Sequence, residues 1–257
     1  MRPVRLLVTR PQGQGDLLCA RLREMGIEPV EVPAIEIVPP ESYEELDRAL
    51  GRMDEYDWII FTSRNAVAAV FERIAVIGGN HALPRRLAIG PATAEALRER
   101  GVTNVWMPSR ALSEAIGEEM PVRSGERVLR VRGQVASELP ARMLRERGVT
   151  VDEVVVYRTV EAPAVSRDLL IRALREGLDG AIFTSASTVR GLLRLAAEAG
   201  CRQALEALPA VAIGPVTARA LEEAGLRVDI VAAVHTVEGI ADVLRERRFP
   251  RAGVPTA

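Results

Sequence analysis

Short apolar runs alternate with amphipathic stretches along the whole chain. The runs Val4–Val8 and Ala210–Ile213 are short and mostly apolar, as strands buried on both faces are. The stretch Gln14–Met25 places leucines and Met25 on one helical face, and Gly26 ends it. Strands alternating with helices in this way are typical of parallel sheets covered by helices on both sides. The pattern therefore predicts an α/β fold.

The same pattern occurs twice. The block Leu6–Arg10 is matched by Val128–Arg132, and Ile60–Ser63 by Ile182–Ser185, in both cases 122 residues later. An Ile-Gly-Pro-x-Thr block that begins at Ile89 recurs 124 residues later, so one short insertion separates the matched blocks. A repeat of this length is that of a domain rather than of a solenoid. We predict two doubly wound parallel-sheet domains that arose by internal duplication.

Two long extended runs occupy equivalent positions in the two halves, Glu28–Val38 and Thr150–Val160. Each is longer than a buried strand requires, and the first contains Pro33 and is followed by two further prolines. We interpret them as two connections that run side by side between the domains. Connections of this kind predict a cleft that opens and closes.

Composition narrows the chemistry of the chain. All 34 basic residues are arginine, and the sequence contains no lysine. This excludes Schiff-base chemistry, attachment of pyridoxal phosphate and a Walker-type phosphate-binding lysine. The two histidines, His81 and His235, are isolated from one another in the sequence and do not indicate a metal centre.

Charge and hydropathy indicate the surroundings in which the chain works. The net charge of −1 argues against a nucleic-acid partner, and no apolar run approaches the length of a membrane span. Residues Met1–Thr9 are too few and too strand-like for a signal peptide. Cys19 and Cys201 lie in helical patterns without ligand spacing, and we interpret them as buried free thiols. We expect a cytoplasmic protein that binds neither nucleic acid nor membrane.

Hydroxyl, glycine and arginine residues follow the predicted strands. In open parallel sheets a ligand lies at the carboxyl ends of the strands, near helix starts with unpaired backbone N–H groups. The residues at these ends are Thr9, Arg10, Thr62, Ser63, Gly90–Thr93, Arg132, Gly133, Thr184, Ser185 and Gly214–Thr217. None of them is a strong general base. The serines and threonines have an alternative role as helix caps, but six equivalent ends favour a large polyanionic ligand held by N–H and hydroxyl groups.

Six segments, taken in order, resemble the uroporphyrinogen-III synthase family: IFTSRNAV, AIGPATAEAL, YRTV, IFTSASTV, AIGPVTARAL and HTVEGIADVL. The resemblance extends from Val4 to about Arg247. It implies two α/β domains joined by a two-stranded antiparallel linker. One domain would comprise residues 1–34 and 162–257 and the other residues 40–155, with 35–39 and 156–161 as linkers. The duplication alone equally allows contiguous halves.

The resemblance also implies a reaction. The family closes hydroxymethylbilane, a linear tetrapyrrole with eight carboxylates, to uroporphyrinogen III, the precursor of haem, sirohaem, cobalamin and chlorophyll. Water is lost, ring D is inverted through a spiro intermediate, and neither a metal nor an organic cofactor is used. Because the bilane loses its hydroxyl readily, the protein mainly has to control geometry and exclude water. We therefore expect a monomeric cyclising hydro-lyase whose partner is this small molecule.

Roles for single residues follow from the resemblance in the case of Tyr157 and from the strand ends in the case of the binding residues. Tyr157, in the Tyr-x-Thr motif, is the candidate catalytic residue, because a phenol can hydrogen-bond to or protonate the departing hydroxyl; simple packing between the domains is the alternative. Arg10 and Arg132 would pair with substrate carboxylates or remain solvated. The candidate substrate-binding residues are Arg10, Thr62, Ser63, Thr93, Arg132, Gly133, Thr184, Ser185, Ala186 and Thr217.

Two other classes of protein remain open. A non-catalytic two-domain protein that clamps a polyanionic ligand has the same strand ends, although a sensor usually carries an effector domain for which we expect no room here. Another enzyme on a duplicated α/β frame, such as a phosphosugar isomerase, would need a Glu, His or Lys base at a strand end, and none is evident. Formation of the type III isomer from hydroxymethylbilane discriminates between these classes.

Overall fold

The computed structural model describes residues 2–78, 83–246 and 249. The chain divides into two compact units. Unit 1 consists of Met1–Glu36 together with Val160–Ala257, and unit 2 consists of Ile37–Thr159. Unit 1 is therefore discontinuous in sequence, and unit 2 is inserted into it.

Strands and helices alternate through most of the chain. The strands are β1 (Val4–Val8), β2 (Ile27–Glu31), β3 (Ile35–Val38), β4 (Trp58–Phe61), β5 (Arg85–Ala88), β6 (Val105–Trp106), β7 (Arg127–Gly133), β8 (Thr150–Glu161), β9 (Gly180–Phe183), β10 (Ala210–Ala212) and β11 (Val228–Val231). The helices are α1 (Asp16–Glu24), α2 (Glu44–Leu50), α3 (Arg64–Ile77), α4 (Pro91–Glu99), α5 (Ser113–Glu119), α6 (Leu139–Glu146), α7 (Val165–Glu176), α8 (Ala186–Glu198), α9 (Arg202–Glu206), α10 (Pro215–Glu223) and α11 (Val237–Glu246). A 3₁₀ turn spans Met53–Glu55.

Each unit is built on a sheet with parallel strands. The sheet of unit 1 has the order β11-β10-β9-β1-β2, and its neighbouring strands are parallel. The second sheet has the order β3-β8-β7-β4-β5-β6, and its strands from β8 to β6 are also parallel. Leaving β3 aside, the strands that match in sequence occupy the same places in the two sheets. The predicted α/β fold with parallel sheets is confirmed.

Helices cover both faces of each sheet because successive strand residues point to opposite sides. In unit 1, Leu7 packs in a layer with α7, α8 and α10, whereas Leu6 and Val8 pack with α1 and α11. In unit 2, Phe61 packs in a layer with α2, α3 and α4, whereas Ile60 packs with α5 and α6. All five of these side chains are almost fully buried, which is why the strands are continuously apolar.

The predicted extended run Glu28–Val38 is not one strand. Its first part is β2, an edge strand of unit 1, and β3 begins only at Ile35. The N–H of Val32 donates to the carbonyl of Val8 (3.0 Å) and that of Ala34 to the carbonyl of Thr9 (3.1 Å). Pro33 lies between them without an N–H, so the regular ladder ends there. The second predicted run is indeed continuous and forms β8.

Some predicted helix boundaries also shift. Helix α1 begins at Asp16 rather than at Gln14, because the N–H of Gln14 donates to the carbonyl of Pro11 in a turn (3.0 Å). Cys19 is buried as predicted, but Cys201 is only half-buried, since it precedes the short helix α9, which the pattern did not predict. Within the described part of the chain, none of the helices has the length and apolar character needed to cross a bilayer.

Candidate functional site

Tyr157 lies near the carboxyl end of β8, opposite Gly133 of β7. The register of the two strands shifts between Arg132 and Gly133, which brings the tyrosine ring over the glycine. A Cβ atom on Gly133 would lie 2.6 Å from Cζ and 2.8 Å from the phenolic oxygen of Tyr157. The backbone N–H of Gln134 donates to the carbonyl of Tyr157 (3.0 Å). A side chain at position 133 would displace the ring, so glycine leaves room for it.

Ser63 connects this tyrosine to a helix start. It follows β4 in extended conformation and caps α3, and its Oγ accepts the N–H of Ala66 (3.1 Å), which confirms the predicted N-cap. The same hydroxyl donates to the phenolic oxygen of Tyr157 at 3.1 Å. Since the one proton of Ser63 is used in this bond, the O–H of Tyr157 is directed elsewhere. The half-buried phenol therefore remains a proton donor toward its open side.

Thr62 and Arg132 lie beside these groups in unit 2. The hydroxyl of Thr62 donates to the carbonyl of Val131 (3.2 Å), so it joins the ends of β4 and β7. The Nη1 of Arg132 donates to the carbonyls of Gly133 (3.2 Å) and Gln134 (3.1 Å). Arg132 thus holds the turn on which the Tyr157 ring lies.

The two Gly-Pro helix starts have the same construction. Gly90 caps α4 and Gly214 caps α10, each in extended conformation and each followed by proline at the first helical position. A Cβ on Gly90 would lie 2.9 Å from Cβ of Ala111, and one on Gly214 would lie 2.8 Å from the ring of His235. In both units the loop before the next helix therefore packs against the glycine. The sequence pattern did not predict this role of His235.

Thr93 and Thr217 stand in the first turns of these helices, but little of either residue reaches the surface. Thr93 is 4% exposed and Thr217 is 3% exposed. An anion at either helix start would therefore meet mainly backbone N–H groups.

The remaining candidates lie in unit 1. Ser185 caps α8 by accepting the N–H of Thr188 (3.2 Å), and Thr188 Oγ1 accepts the N–H of Ser185 (3.2 Å), which completes a capping box. Thr184 and Ala186 flank this cap at the end of β9. Arg10 follows Thr9, whose buried hydroxyl donates to the carbonyl of Ile182 (2.8 Å).

The structure thus brings the unit 2 candidates Tyr157, Ser63 and Gly133 into direct contact, with Arg132 and Thr62 on the adjoining strand ends. In unit 1, the candidates Arg10, Thr184, Ser185, Ala186 and Thr217 occupy the corresponding ends of β1, β9 and β10. Among the residues that the structure describes, groups of three or more His, Cys, Asp or Glu arranged to hold a metal ion are absent. His81 lies outside the described residues.

Comparison with known proteins decides the family. A family model described as uroporphyrinogen-III synthase HemD matches residues 16–242. The chain belongs to the uroporphyrinogen-III synthase family. Membership in the uroporphyrinogen-III synthase family confirms the resemblance carried by the six sequence segments.

Relatives in the uroporphyrinogen-III synthase family align over nearly the whole chain. A porphyrin biosynthesis protein HemD of Ruminiclostridium josui is 33% identical over 249 residues, which cover 94% of this chain and 48% of that protein. The chain therefore spans about half the length of this relative. A uroporphyrinogen-III synthase of Synechococcus elongatus is 31% identical over 242 residues, which cover 91% of this chain and 92% of the relative.

A solved structure shows the fold of this family. The crystal structure of a mutant uroporphyrinogen III synthase from Thermus thermophilus matches with a TM-score of 0.64 at 22% identity. The match covers 95% of this chain and 98% of that one. At this identity the likeness concerns the fold, which is α/β in both proteins.

Proposed function

We propose that the chain is a uroporphyrinogen-III synthase, which closes hydroxymethylbilane to uroporphyrinogen III with loss of water and inversion of ring D. The observation that carries this proposal is the contact of Tyr157 with Ser63 and Gly133, in a chain of this family. Family membership and the named relatives support an enzyme of tetrapyrrole biosynthesis over a non-catalytic polyanion clamp. The reaction needs no redox chemistry and no group carrier: a C–O bond, one C–C bond and one C–H bond of ring D break, two C–C bonds form, and the hydroxyl leaves as water while ring D releases a proton.

Tyr157 is the residue to which we assign the chemical step. The C–O bond of the hydroxymethyl group breaks, and the departing oxygen leaves as water after receiving a proton. The phenol is suited to donate a hydrogen bond to that oxygen, because Ser63 supplies a donor rather than an acceptor to it. The resulting azafulvene is then attacked by the substituted carbon of ring D, and the spiro intermediate rearranges to the type III skeleton.

Orientation of the bilane is assigned to the strand ends. Its carboxylates require donors, and the helix starts of α4, α8 and α10 present backbone N–H groups of the kind that bind anions. Arg10 and Arg132 add guanidinium groups, which suit carboxylates in particular. We also assign substrate binding to Thr62, Ser63, Thr93 and Gly133 of unit 2 and to Thr184, Ser185, Ala186 and Thr217 of unit 1. Holding ring D for attack is catalysis by orientation, and it requires no strong base.

We also propose the organisation that accompanies this function. The shared strand order of the two sheets supports an internal duplication, and the adjacency of β3 and β8 supports a two-stranded antiparallel linker made of residues 35–39 and 156–161. The domains of the proposal are residues 1–34 with 162–257 and residues 40–155. The enzyme acts as a cytoplasmic monomer without metal, organic cofactor, nucleic acid or membrane, and its partner is the linear tetrapyrrole.

One assay tests the proposed function directly. Purified protein is given freshly prepared hydroxymethylbilane without added metal, and the products are oxidised and separated by chromatography. We expect the type III isomer at a rate above spontaneous closure, which yields the type I isomer. Type I isomer alone would overturn the proposal and leave a polyanion-binding protein as the better description.

A further inference from the structure

Three arginines surround one glutamate in unit 2. Glu153 of β8 forms an ion pair with Arg130, whose Nη1 donates to Oε1. The Nε of Arg132 lies 3.3 Å from the same oxygen, although without the alignment of a hydrogen bond. The Nη2 of Arg145 lies 3.4 Å from Oε2. Three positive charges therefore share a single carboxylate, and the group, which we call the Glu153 cluster, carries a net charge of +2.

Burial makes this excess of charge costly. The side chains of Arg130, Arg132 and Glu153 retain only 2%, 18% and 15% of their accessible surface. Burial lowers the pKa of Arg130, and the neighbouring Arg132 and Arg145 act in the same direction, while Glu153 opposes them. A guanidinium remains charged even so. Charges withdrawn from water need partners, and the single carboxylate of the cluster leaves two positive charges without an anion.

Arg132 has one nitrogen atom, Nη2, that is available to bind an anion. Its Nη1 is used by the carbonyls of Gly133 and Gln134, and its Nε faces Glu153. The Nη2 makes no hydrogen bond with any residue in the described ranges, and it is not among the buried atoms. Two N–H donors at the carboxyl end of β7 therefore face outward in a fixed direction.

The equivalent position in unit 1 lacks the buried arginine. Glu31 corresponds to Glu153 in the repeat, and Val8 corresponds to Arg130. The strand register is the same, since Val8 is paired with Glu31 and Arg130 with Glu153. Glu31 is exposed and has no arginine on the neighbouring strand residue. The buried arginine is thus particular to the unit that carries Tyr157.

We propose that Glu153, anchored by the buried Arg130, is a positioning residue that fixes the guanidinium of Arg132, so that Nη2 of Arg132 receives one carboxylate of the substrate. This inference rests on the proposed function for the identity of the ligand, a polycarboxylate tetrapyrrole. Glu153 acts through Arg132 and does not contact the substrate. Glu153 therefore strengthens binding by orienting Arg132, although its own negative charge repels the anionic substrate.

The sign of the effect separates positioning from simple electrostatics. Replacing a carboxylate near an anion site by a neutral amide strengthens anion binding if only charge matters. If Glu153 positions Arg132, Glu153→Gln weakens binding instead. The probe is uroporphyrin III, the oxidised product with the same eight carboxylates, whose binding is followed by fluorescence titration. We expect the Kd of Glu153→Gln to rise roughly tenfold or more, as for a lost hydrogen bond to a charged group.

A double-mutant cycle tests whether Glu153 affects binding through Arg132. In an Arg132→Gln background, Glu153→Gln should change the Kd little, because the residue through which it acts is already gone. Glu31→Gln is the matched control: it removes the same charge at the equivalent strand position of unit 1 and should not weaken binding. A Glu153→Gln variant that binds as tightly as the wild type overturns the proposal. So does an equal loss of affinity with and without Arg132, or an equal loss in Glu31→Gln.

A second variant covers the case in which Glu153→Gln does not fold. Replacing Arg130 and Glu153 together by methionine exchanges a buried ion pair for apolar groups, which proteins tolerate well. We expect this variant to unfold at a temperature close to that of the wild type and still to bind uroporphyrin III weakly. Full affinity in the folded double variant would overturn the positioning role. Failure of the proposed function would appear separately, as type I isomer from wild-type protein that still shows the Glu153–Arg132 coupling.

Discussion

The hydroxyl oxygen of Ser63 lies 3.1 Å from the phenolic oxygen of Tyr157, and it also accepts the N–H of Ala66 in the first turn of helix α3. The helix cap therefore fixes the position of the serine hydroxyl, and the serine in turn fixes the hydrogen-bonding role left to the tyrosine. One residue thus belongs both to the local structure of unit 2 and to its proposed chemistry.

Tyr157→Phe should lower turnover strongly and leave the free energy of unfolding nearly unchanged. The ring still packs on Gly133, and only the oxygen is lost. A positioned proton donor contributes about 10²-fold or more to rate. Single-turnover formation of uroporphyrinogen III measures the effect. Unaltered turnover would show that the tyrosine only packs and that orientation of the bilane suffices.

Ser63→Ala should reduce both stability and turnover. Loss of the cap on α3 costs about 0.5–2 kcal/mol, and the phenol of Tyr157 loses the donor that orients it. Ser42→Ala is the control, because Ser42 accepts the N–H of Glu44 (3.1 Å) at the start of α2 and has no bond to the tyrosine. Thermal unfolding and turnover are measured on both variants. Equal turnover in the two would restrict Ser63 to capping.

Gly133→Ala should impair turnover more than it impairs folding. The added methyl group would lie 2.6 Å from Cζ of Tyr157, so the ring must move, whereas the extended strand accepts alanine without a forbidden backbone conformation. Overpacking of this kind costs about 1–3 kcal/mol. Gly51→Ala is the control, since the nearest atom to its Cβ is a backbone oxygen at 3.4 Å. Wild-type activity in Gly133→Ala would mean that the ring position is not critical.

Thr217→Ala and Thr93→Ala should each lower the stability by about 0.5–3 kcal/mol, because each removes part of an almost fully buried side chain. We predict that Thr217→Ala also raises the KM or lowers the turnover beyond what its melting shift explains. Because Thr217 is 3% exposed, its methyl group matters to packing, and Thr217→Val and Thr217→Ser separate methyl from hydroxyl. If the valine variant keeps full activity per folded molecule, the hydroxyl has no part in substrate binding.

Alkaline pH should destabilise unit 1 through Cys19. Burial, followed by the charge of Glu31, raises the pKa of this thiol from 9.0 to about 11. The folded state therefore favours the neutral thiol, and the stability that this provides is complete below pH 9 and is lost as pH rises toward 11. The melting temperature of Cys19→Ala should fall less over this range than that of the wild type. Identical pH profiles would contradict the assignment.

The fold was largely predictable because β1, β4, β9 and β10 are buried on both faces. They therefore form short, mostly apolar runs, which are typical of strands in a parallel sheet. The extended run Glu28–Val38 was predicted, but its division into β2 and β3 was not, because Pro33 interrupts the hydrogen-bond ladder between strands. The residue types of a segment indicate whether its backbone is extended. They do not show which carbonyl group accepts each N–H, because that depends on the neighbouring strand.

The candidate site was predictable to a smaller extent. Gly133, Ser63 and Tyr157 belong to recognisable segments, and their mutual contact followed from strand order. Glu153 and Arg130 were missed, although the arginine inside the apolar run of β7 was a signal that a buried partner must exist. The packing of His235 on Gly214 could not be predicted, because a contact between a loop and a helix start produces no periodic pattern in the sequence.

The discontinuity of unit 1 determines the order in which the two units can fold during translation. Strand β1 pairs with β9, and Leu6 is matched to Gly180, so one side of the first strand has no native partner until most of the polypeptide has left the ribosome. Unit 2 lies entirely between these partners and is complete once β8 has emerged. Domains generally fold as units during synthesis. The inserted unit therefore folds first, and the amino-terminal strands remain unpaired with β9 until that strand has been synthesised. Ribosome-stalled chains from which residue 160 has just emerged should accordingly protect residues of unit 2 from protease while leaving β1 and β2 cleavable.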